Sequence, residues 1–210
     1  MHKLYVVSTP IGNVGDISKR AIEVLNSTVA VLCEDTTHTQ KLFNLVGVKN
    51  KKISLHKFNE KSRVQEVLNL LEEGDLALVS DAGTPTISDP GQLLIRDLKA
   101  EGVEIVSVPG PSALIAALSI SGIIYENFKF VAFIPKKESQ LIDMINSSKD
   151  TDVIVGYESP NRINKTLKIL NELDSRMHIT VVREITKKIE EVSQGTPSEL
   201  MDKEFKGEIV

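Results

Sequence analysis

The stretch VSDAGTPTISDPG, residues 79–91, leaves a hydrophobic run and enters Gly, Ser, Thr and Pro with two carboxylates, Asp81 and Asp89. Such a loop turns tightly and lets the backbone approach a ligand closely. Three earlier and later segments share its character: STPIGNVGD (8–16), CEDTTHT (33–39) and PGPSA (109–113). Two more polar segments, YESPNR (157–162) and REITK (183–187), also follow apolar runs. Their backbone N–H and C=O groups suit the edges of adenine and ribose. Glu34, Asp35, Asp81 and Glu158 can hold a ribose hydroxyl, offset a cationic ligand or take a proton. Arg162, Arg183 and Lys187 can steer an anion. Each loop taken singly is also an ordinary turn, and Glu34 or Asp35 can simply cap the next helix.

Other chemistries lack their parts. There is no Gly-Lys-Ser/Thr phosphate loop, no GxGxxG and no HExxH. His2, His38, His56 and His178 are scattered, with none at i, i+4, so no metal site is expected. No Ser-His-Asp set stands out by spacing. Cys33 is the only cysteine, which excludes an internal disulfide and fits a reducing, cytoplasmic setting. No apolar run reaches membrane-spanning length, and the N-terminus reads as a first strand and not as a signal peptide.

The polar loops need elements to carry them. Strand-like runs at 4–8, 29–33, 52–55, 76–80 and 103–108 alternate with helical stripes at 18–26, 37–46, 63–74, 92–102 and 111–121. That alternation predicts βαβ units and a largely parallel sheet. A second set follows: strands at 129–134, 152–157, 177–184 and 189–195, and helices at 139–148 and 161–173. The expected class is α/β, with two domains, 1–121 and 122–210. The closing GEIV (207–210) reads as the opening of another strand, so the second domain is expected to be incomplete at its C-terminal side. Ligands of open α/β sheets bind beyond the carboxyl ends of the strands, which is where every polar loop named above falls.

Formal net charge is −4, which by itself points away from nucleic acid. The distribution points the other way. Residues 1–65 hold ten Lys or Arg against five Asp or Glu, while 66–130 hold three against ten. Within 41–63, Lys41, Lys49, Lys51, Lys52, Lys57, Lys61 and Arg63 face a single acid, Glu60. Such a patch can dock a polyanion, or serve only as a solvated surface.

The ordered set STPIGNVGDIS, CEDTTHTQKL, VSDAGTPTISDPG, VPGPSALIAALSISG, YESPNRI and VREITK resembles the ribosomal small-subunit RNA methyltransferase I family of the tetrapyrrole-methylase-like superfamily, and covers nearly the whole chain. The resemblance implies a homodimer of two-domain α/β chains with S-adenosylmethionine bound between the domains. It implies methylation of the ribose 2′-hydroxyl of a cytidine in the decoding region of 16S ribosomal RNA, in the small ribosomal subunit. Carried onto this chain, Pro10 and Gly12 line the cleft. Ser80, Asp81, Ala82 and Gly83 lie against the methionine part, and Pro109, Gly110, Ser112 and Ala113 close around the cofactor. Tyr157, Glu158 and the Arg183–Lys187 segment come from the second domain.

Methyl transfer from a sulfonium needs alignment and a base for the hydroxyl proton, and demands no metal. Glu34 and Asp35 are the first candidates for that base, with Glu184 behind them. Lys187 can instead stabilise charge on the oxygen. The basic set from Lys41 to Arg63 is the expected RNA-binding surface, and no aromatic stacking platform is evident in a chain with six Phe, three Tyr and no Trp. Two departures from the family stand out: Thr37 replaces an arginine, and family members continue for several tens of residues. Competing readings are a methyltransferase acting on a tetrapyrrole ring carbon, and a catalytically silent RNA-binding protein of the same fold.

Overall fold

The computed structural model describes residues 2–210 and divides into two compact units, one ending at Ser112 and one spanning Ala113–Val210. In the first unit the order is β1 (Lys3–Val7), a 3-10 turn at Val14–Asp16, α1 (Lys19–Ser27), β2 (Ala30–Cys33), α2 (Thr36–Val46), β3 (Lys52–Ser54), α3 (Glu60–Glu73), β4 (Leu76–Leu78), α4 (Gln92–Ala100) and β5 (Glu104–Val108). All five strands are parallel, in the spatial order β3-β2-β4-β1-β5.

Alternation along the strands builds two cores. Leu4, Leu32, Leu76 and Leu78 point to the face covered by Val67 and Leu71 of α3 and Leu94 and Leu98 of α4. Val7, Val31, Cys33, Ala77 and Val79 point to the face covered by Ala21 and Leu25 of α1 and Phe43 of α2. Both faces are therefore apolar, which is why the strands read as continuous hydrophobic runs. Each fully buried leucine contributes roughly 2 kcal/mol. Cys33 is buried in the second of these cores, and burial pushes its thiol up, so it behaves as a small apolar side chain.

Helix starts follow local chemistry. Ser18 caps α1 by accepting from the Ala21 N–H at 3.0 Å. The N-terminus of α4 has no side-chain cap of its own. The buried carboxylate of Glu60 supplies one from α3, accepting from Leu93 and Leu94 N–H at 3.0 and 3.2 Å. This accounts for the lone acid in the basic stretch: it faces inward to a helix terminus.

The second unit contains α5 (Ala113–Ile120), β6 (Phe128–Phe133), α6 (Glu138–Asn146), β7 (Val153–Tyr157), α7 (Ile163–Leu173), β8 (Ile179–Arg183), β9 (Glu191–Gly195) and α8 (Pro197–Met201). β6 and β7 pair in parallel, and β8 and β9 pair antiparallel. Leu114 and Leu118 of α5 pack on Val155, so this helix belongs with the second unit, whereas the sequence reading placed the boundary after 121. The short helix α8 was not expected, although its signal is in the sequence. Thr196 and Glu199 form a reciprocal capping box with Pro at the helix start. Residues 208–210 are extended, as GEIV suggested: Ile209 bridges both Glu158 and Arg183.

Candidate active site

The chain leaves β1 toward β2 and leaves β4 toward β5, in opposite directions, and β1 and β4 are neighbours. Those two connections cross; the pair that diverges is β2, leading out to β3, and its neighbour β4, leading out to β5, so the topological switch point lies between β2 and β4. CEDTTHT and SDAGTP flank it. SDAGTP also meets STPIGN, the loop after neighbouring β1.

These loops are stitched to each other. Thr9 and Gly83 form an antiparallel bridge, with Thr9 N–H donating to Gly83 O at 2.9 Å and Gly83 N–H to Thr9 O at 3.1 Å. Thr9 Oγ1 donates to Ser80 O at 3.3 Å, and Ser8 and Thr84 hydroxyls lie 3.0 Å apart. The third loop joins through Thr84 Oγ1, which donates to Pro111 O at 3.0 Å, and Ser8 N–H, which donates to Val108 O at 3.1 Å. Two glycines permit the approach. Gly83 has φ +76°, and a Cβ there would meet Ile11 at 3.2 Å. A Cβ on Gly110 would stand 2.9 Å from Ser8 Cβ. The structure thus brings Gly83 and Gly110 into one connected layer, with Pro10, Gly12, Ser80, Asp81, Ala82, Pro109 and Ser112 in the loops it joins. Ala113 instead opens α5 in the second unit.

The carboxylates of the first unit separate by environment. Asp35 Oδ1 accepts from Thr37 and His38 N–H at 2.7 and 3.1 Å, capping α2, and these bonds hold its carboxyl below the usual range. Asp35 is therefore occupied as a helix cap. Asp81 Oδ1 accepts from Asp35 N–H at 3.1 Å, tying the tips of β4 and β2 together. Burial, the Asp81 charge and, more weakly, Asp35 push Glu34 up, against an opposing pull from His56. Burial and then the Glu34 charge push Asp89 up to about 6, with Asp81 adding to this and a Ser80 hydrogen bond working against it. Glu34 and Asp89 are the carboxyls here whose basicity is raised toward neutrality. Asp89 was named in its loop but not assigned a role. Its signal is conformational: Thr86 and Ser88, just before it, are non-glycine residues at φ +71° and +73°. Such strain collects at functional sites.

The second-unit residues are more tightly engaged. Glu158 is buried and accepts from Thr166 Oγ1 at 2.6 Å and Ser159 N–H at 2.7 Å, with Arg162 Nη2 at 3.1 Å. Its carboxylate is occupied inside its own unit. The Tyr157 ring lies 5.2 and 5.7 Å from Phe130 and Phe133. Glu184 Oε1 accepts from Lys187 Nζ at 2.9 Å and from Glu208 N–H at 2.8 Å, and these bonds hold its carboxyl low. Lys187 also pairs with Glu208 at 2.7 Å. Burial works to lower its ammonium, but the two carboxylates outweigh it and hold it raised. Glu184 has φ +50° and Thr186 +65°, so this loop too is conformationally unusual.

The basic set does not form one patch. β3 runs through its middle. Lys49, Lys51 and Lys52 lie at the amino end of β3, beside Asn26 and Thr28, away from the loop-bearing edge of the sheet. Lys57 and Lys61 lie beyond its carboxyl end, on the same edge as the loops. Lys52 Nζ sits 5.4 Å over the Phe43 ring, and Arg63 pairs with Glu66. Lys41 is exposed on α2. Between Lys57 and Lys61 stands Phe58, 92% exposed. That is a candidate stacking surface the composition did not reveal, because six Phe say nothing of which one faces water.

Among the described residues no group of three or more His, Cys, Asp or Glu is placed to hold a metal, and no helix is long and apolar enough to cross a membrane. A switch point on a parallel α/β sheet, flanked by Gly- and Pro-rich loops, is where proteins of the α/β class bind small molecules. The tetrapyrrole (corrin/porphyrin) methylase family matches residues 3–201, and the chain belongs to it. Within that family it is 41% identical over 216 residues to a Xylella fastidiosa protein named "Ribosomal RNA small subunit methyltransferase I", covering 99% of this chain and 79% of the relative. Proteins of the same name from Vibrio cholerae and Coprothermobacter proteolyticus are 42% and 39% identical over 217 and 209 residues. Each match covers 99% of this chain, and they cover 75% and 95% of the relatives.

Proposed function

We propose that this chain is an S-adenosylmethionine-dependent methyltransferase that modifies the ribose 2′-hydroxyl of a cytidine in the decoding region of 16S ribosomal RNA, as a homodimer. The observation that carries the reading is the Thr9–Gly83 stitch beside the switch point, in a chain about 40% identical to proteins named "Ribosomal RNA small subunit methyltransferase I". The residues fit the cofactor. The crevice offers close backbone approach at Gly83 and Gly110, and carboxylates at Glu34, Asp81 and Asp89 that complement a cation. When bound, the cofactor supplies an electrophilic methyl group on a sulfonium.

The protein's own part is alignment and proton removal. The loops of Pro10, Gly12, Ser80–Gly83 and Pro109–Ser112 would hold the cofactor in one orientation, so that the hydroxyl meets the methyl in line. Glu34, half-exposed at the tip of β2, would accept the hydroxyl proton, its basicity raised by burial and by the neighbouring Asp81. Asp89 holds a second negative charge beside it. Lys57 and Lys61 would meet the phosphate backbone, and Phe58 a nucleobase.

The test is transfer of labelled methyl from S-adenosylmethionine to small ribosomal subunits that lack the modification, with the product mapped by mass spectrometry of RNA fragments. Label on a cytidine ribose in the decoding region is the expected result. Cofactor binding without RNA labelling would leave the fold and cofactor assignment and overturn the substrate. Label on a tetrapyrrole would replace it.

A further inference from the structure

β6 and β7 pair in register as far as Phe130 and Val155, and again at Phe133 and Tyr157. Three residues of β6 therefore advance against two of β7, which is a β-bulge. Ala132 sits inside it at φ +56°, a left-handed conformation that non-glycine residues rarely hold. The extra residue changes which face Phe133 takes. In a regular strand Phe130 and Phe133, an odd number of residues apart, point to opposite faces. Here both rings lie against Tyr157, at centroid distances of 5.2 and 5.7 Å. The strained bulge thus carries Phe133 round to the Tyr157 side.

The ring is presented to water on a fixed main chain. Phe133 is 64% exposed, and its ring meets that of Tyr157 at 68°, edge to face, so a flat surface stays open. Just after it, Ile134 N–H donates to Tyr157 O at 2.9 Å, and Arg162 Nη2 donates to Ile134 O at 2.8 Å and to Pro135 O at 3.3 Å. Ile134 lies close over Gly156, where a Cβ would collide with its Cδ1. A ring held this way has little freedom left to lose when a ligand stacks on it. Charge stands beside it. Residues 128–137, FKFVAFIPKK, hold three lysines and no acid, and Glu138 follows as the first. Arg162 is engaged with Glu158, whereas among the described residues neither Lys136 nor Lys137, both exposed, is in an ion pair. Three residues of chain keep Lys136 within roughly 10 Å of Phe133. Every residue from Lys136 to Gln140 is exposed and polar, so the ring is an apolar island and not the margin of a protein-docking face.

We propose that Phe133, with Lys136 and Lys137, is a second RNA-contact site, which stacks an unpaired nucleobase on the ring and holds the neighbouring phosphates with the two ammonium groups. It rests on the RNA reading given above and adds to it a contact made by the second unit, independent of Phe58. Every base has a face that can stack on an aromatic ring, and the lysines supply the sequence-independent attraction to the backbone. The site takes single-stranded RNA, because only an unstacked base can offer its face to a side chain.

The experiment measures binding of the 210-residue chain to a fluorescently labelled single-stranded RNA of about twelve nucleotides, by anisotropy across a salt series, beside an abasic strand of the same length. Phe133→Ala and Phe133→Leu should each weaken binding to the RNA about fivefold or more and leave the abasic strand unaffected, while Phe133→Tyr keeps the parent affinity. Leucine retains an apolar contact with Tyr157 but has no aromatic face, so its loss separates stacking from packing. Lys136→Ala with Lys137→Ala should lower the salt slope by about 1 to 2. Parent affinity in both the Ala and the Leu variant, with Phe58→Ala still impaired, would overturn this site and leave the RNA reading standing. Equal losses on RNA and on the abasic strand would show a structural effect of the ring and overturn the site as well. Failure of the parent chain to bind the RNA at all would overturn both the site and the RNA reading.

Discussion

Thr9 and Gly83 exchange two backbone hydrogen bonds across the ends of β1 and β4, which are adjacent strands whose onward connections run in opposite directions. The bond pair makes a two-residue extension of the sheet where the crevice begins. It fixes the STPIGN and SDAGTP loops relative to each other before any ligand arrives, which is the preorganisation a transfer reaction needs.

That stitch depends on Gly83. Alanine there meets Ile11 at 3.2 Å in a left-handed conformation that side chains rarely adopt. Gly83→Ala is expected to cost about 1 kcal/mol of stability and to weaken S-adenosylmethionine binding tenfold or more by calorimetry. Gly110→Ala, which sets a Cβ 2.9 Å from that of Ser8, should act in the same direction. Unaltered cofactor affinity in both variants would place the cofactor elsewhere.

Glu34 and Asp89 divide the proton chemistry. Glu34→Gln should lower the single-turnover rate by about 10²- to 10⁴-fold. Asp89→Asn should cost less than about tenfold, and should move the acid limb of the pH–rate profile downward, because removing a like charge makes Glu34 easier to ionise. Full turnover in Glu34→Gln would remove it from the mechanism.

Asp89 also carries a stability signature. Its folded carboxyl titrates at about 6, above the ordinary carboxylate value of 3.8, so the folded state binds the proton more tightly than the unfolded one. Stability should therefore fall as pH rises from about 4 to 6, and level off above. Asp89→Asn removes this penalty. Its melting temperature should exceed that of the parent chain at pH 7.5 by a few degrees, with the advantage gone below pH 4. A lower melting temperature at pH 7.5 would mean that the carboxylate supports the loop.

Much of this architecture was legible beforehand because period and punctuation agreed. The parallel sheet followed from apolar runs alternating with amphipathic stripes, and Ser18 and Gly74 stand at real helix ends. The loops of the switch point were legible because Gly and Pro at strand ends are visible in one dimension. Burial and pairing were not. Nothing in YESPNR says that the Glu158 carboxylate turns inward to Arg162 and Thr166, or in REITK that Glu184 and Lys187 satisfy each other and Glu208. The basic run from Lys41 to Arg63 read as one patch because sequence proximity hides that β3 carries the chain from one end of the sheet to the other.

That division predicts unequal roles for the lysines. Lys57→Ala with Lys61→Ala should weaken RNA binding and reduce the salt slope by about 1 to 2, from roughly 0.7–0.9 per phosphate contact. Lys49→Ala with Lys51→Ala should leave both within error. Phe58→Ala should weaken RNA binding by about 1–3 kcal/mol and leave cofactor affinity unchanged, with Phe58→Tyr restoring it. Filter binding across a salt series checks all three, and equal losses from the two lysine pairs would show that RNA contacts both ends of the sheet.

Glu158 supplies the last contrast, between a residue that serves a ligand and one that holds its unit together. Its carboxylate is buried, and Arg162 beside it also donates to Ile134 O at 2.8 Å, so the pair links β7 to the chain leaving β6. Removing one partner leaves the other's charge uncompensated in a low-dielectric setting. Glu158→Gln should therefore destabilise the second unit by about 2–4 kcal/mol, read by denaturant unfolding. The double variant Glu158→Gln with Arg162→Met should recover part of that loss. Cofactor affinity at 20 °C should change less than threefold in either variant while the protein remains folded. A large loss of affinity with unchanged stability would instead make Glu158 a ligand of the cofactor.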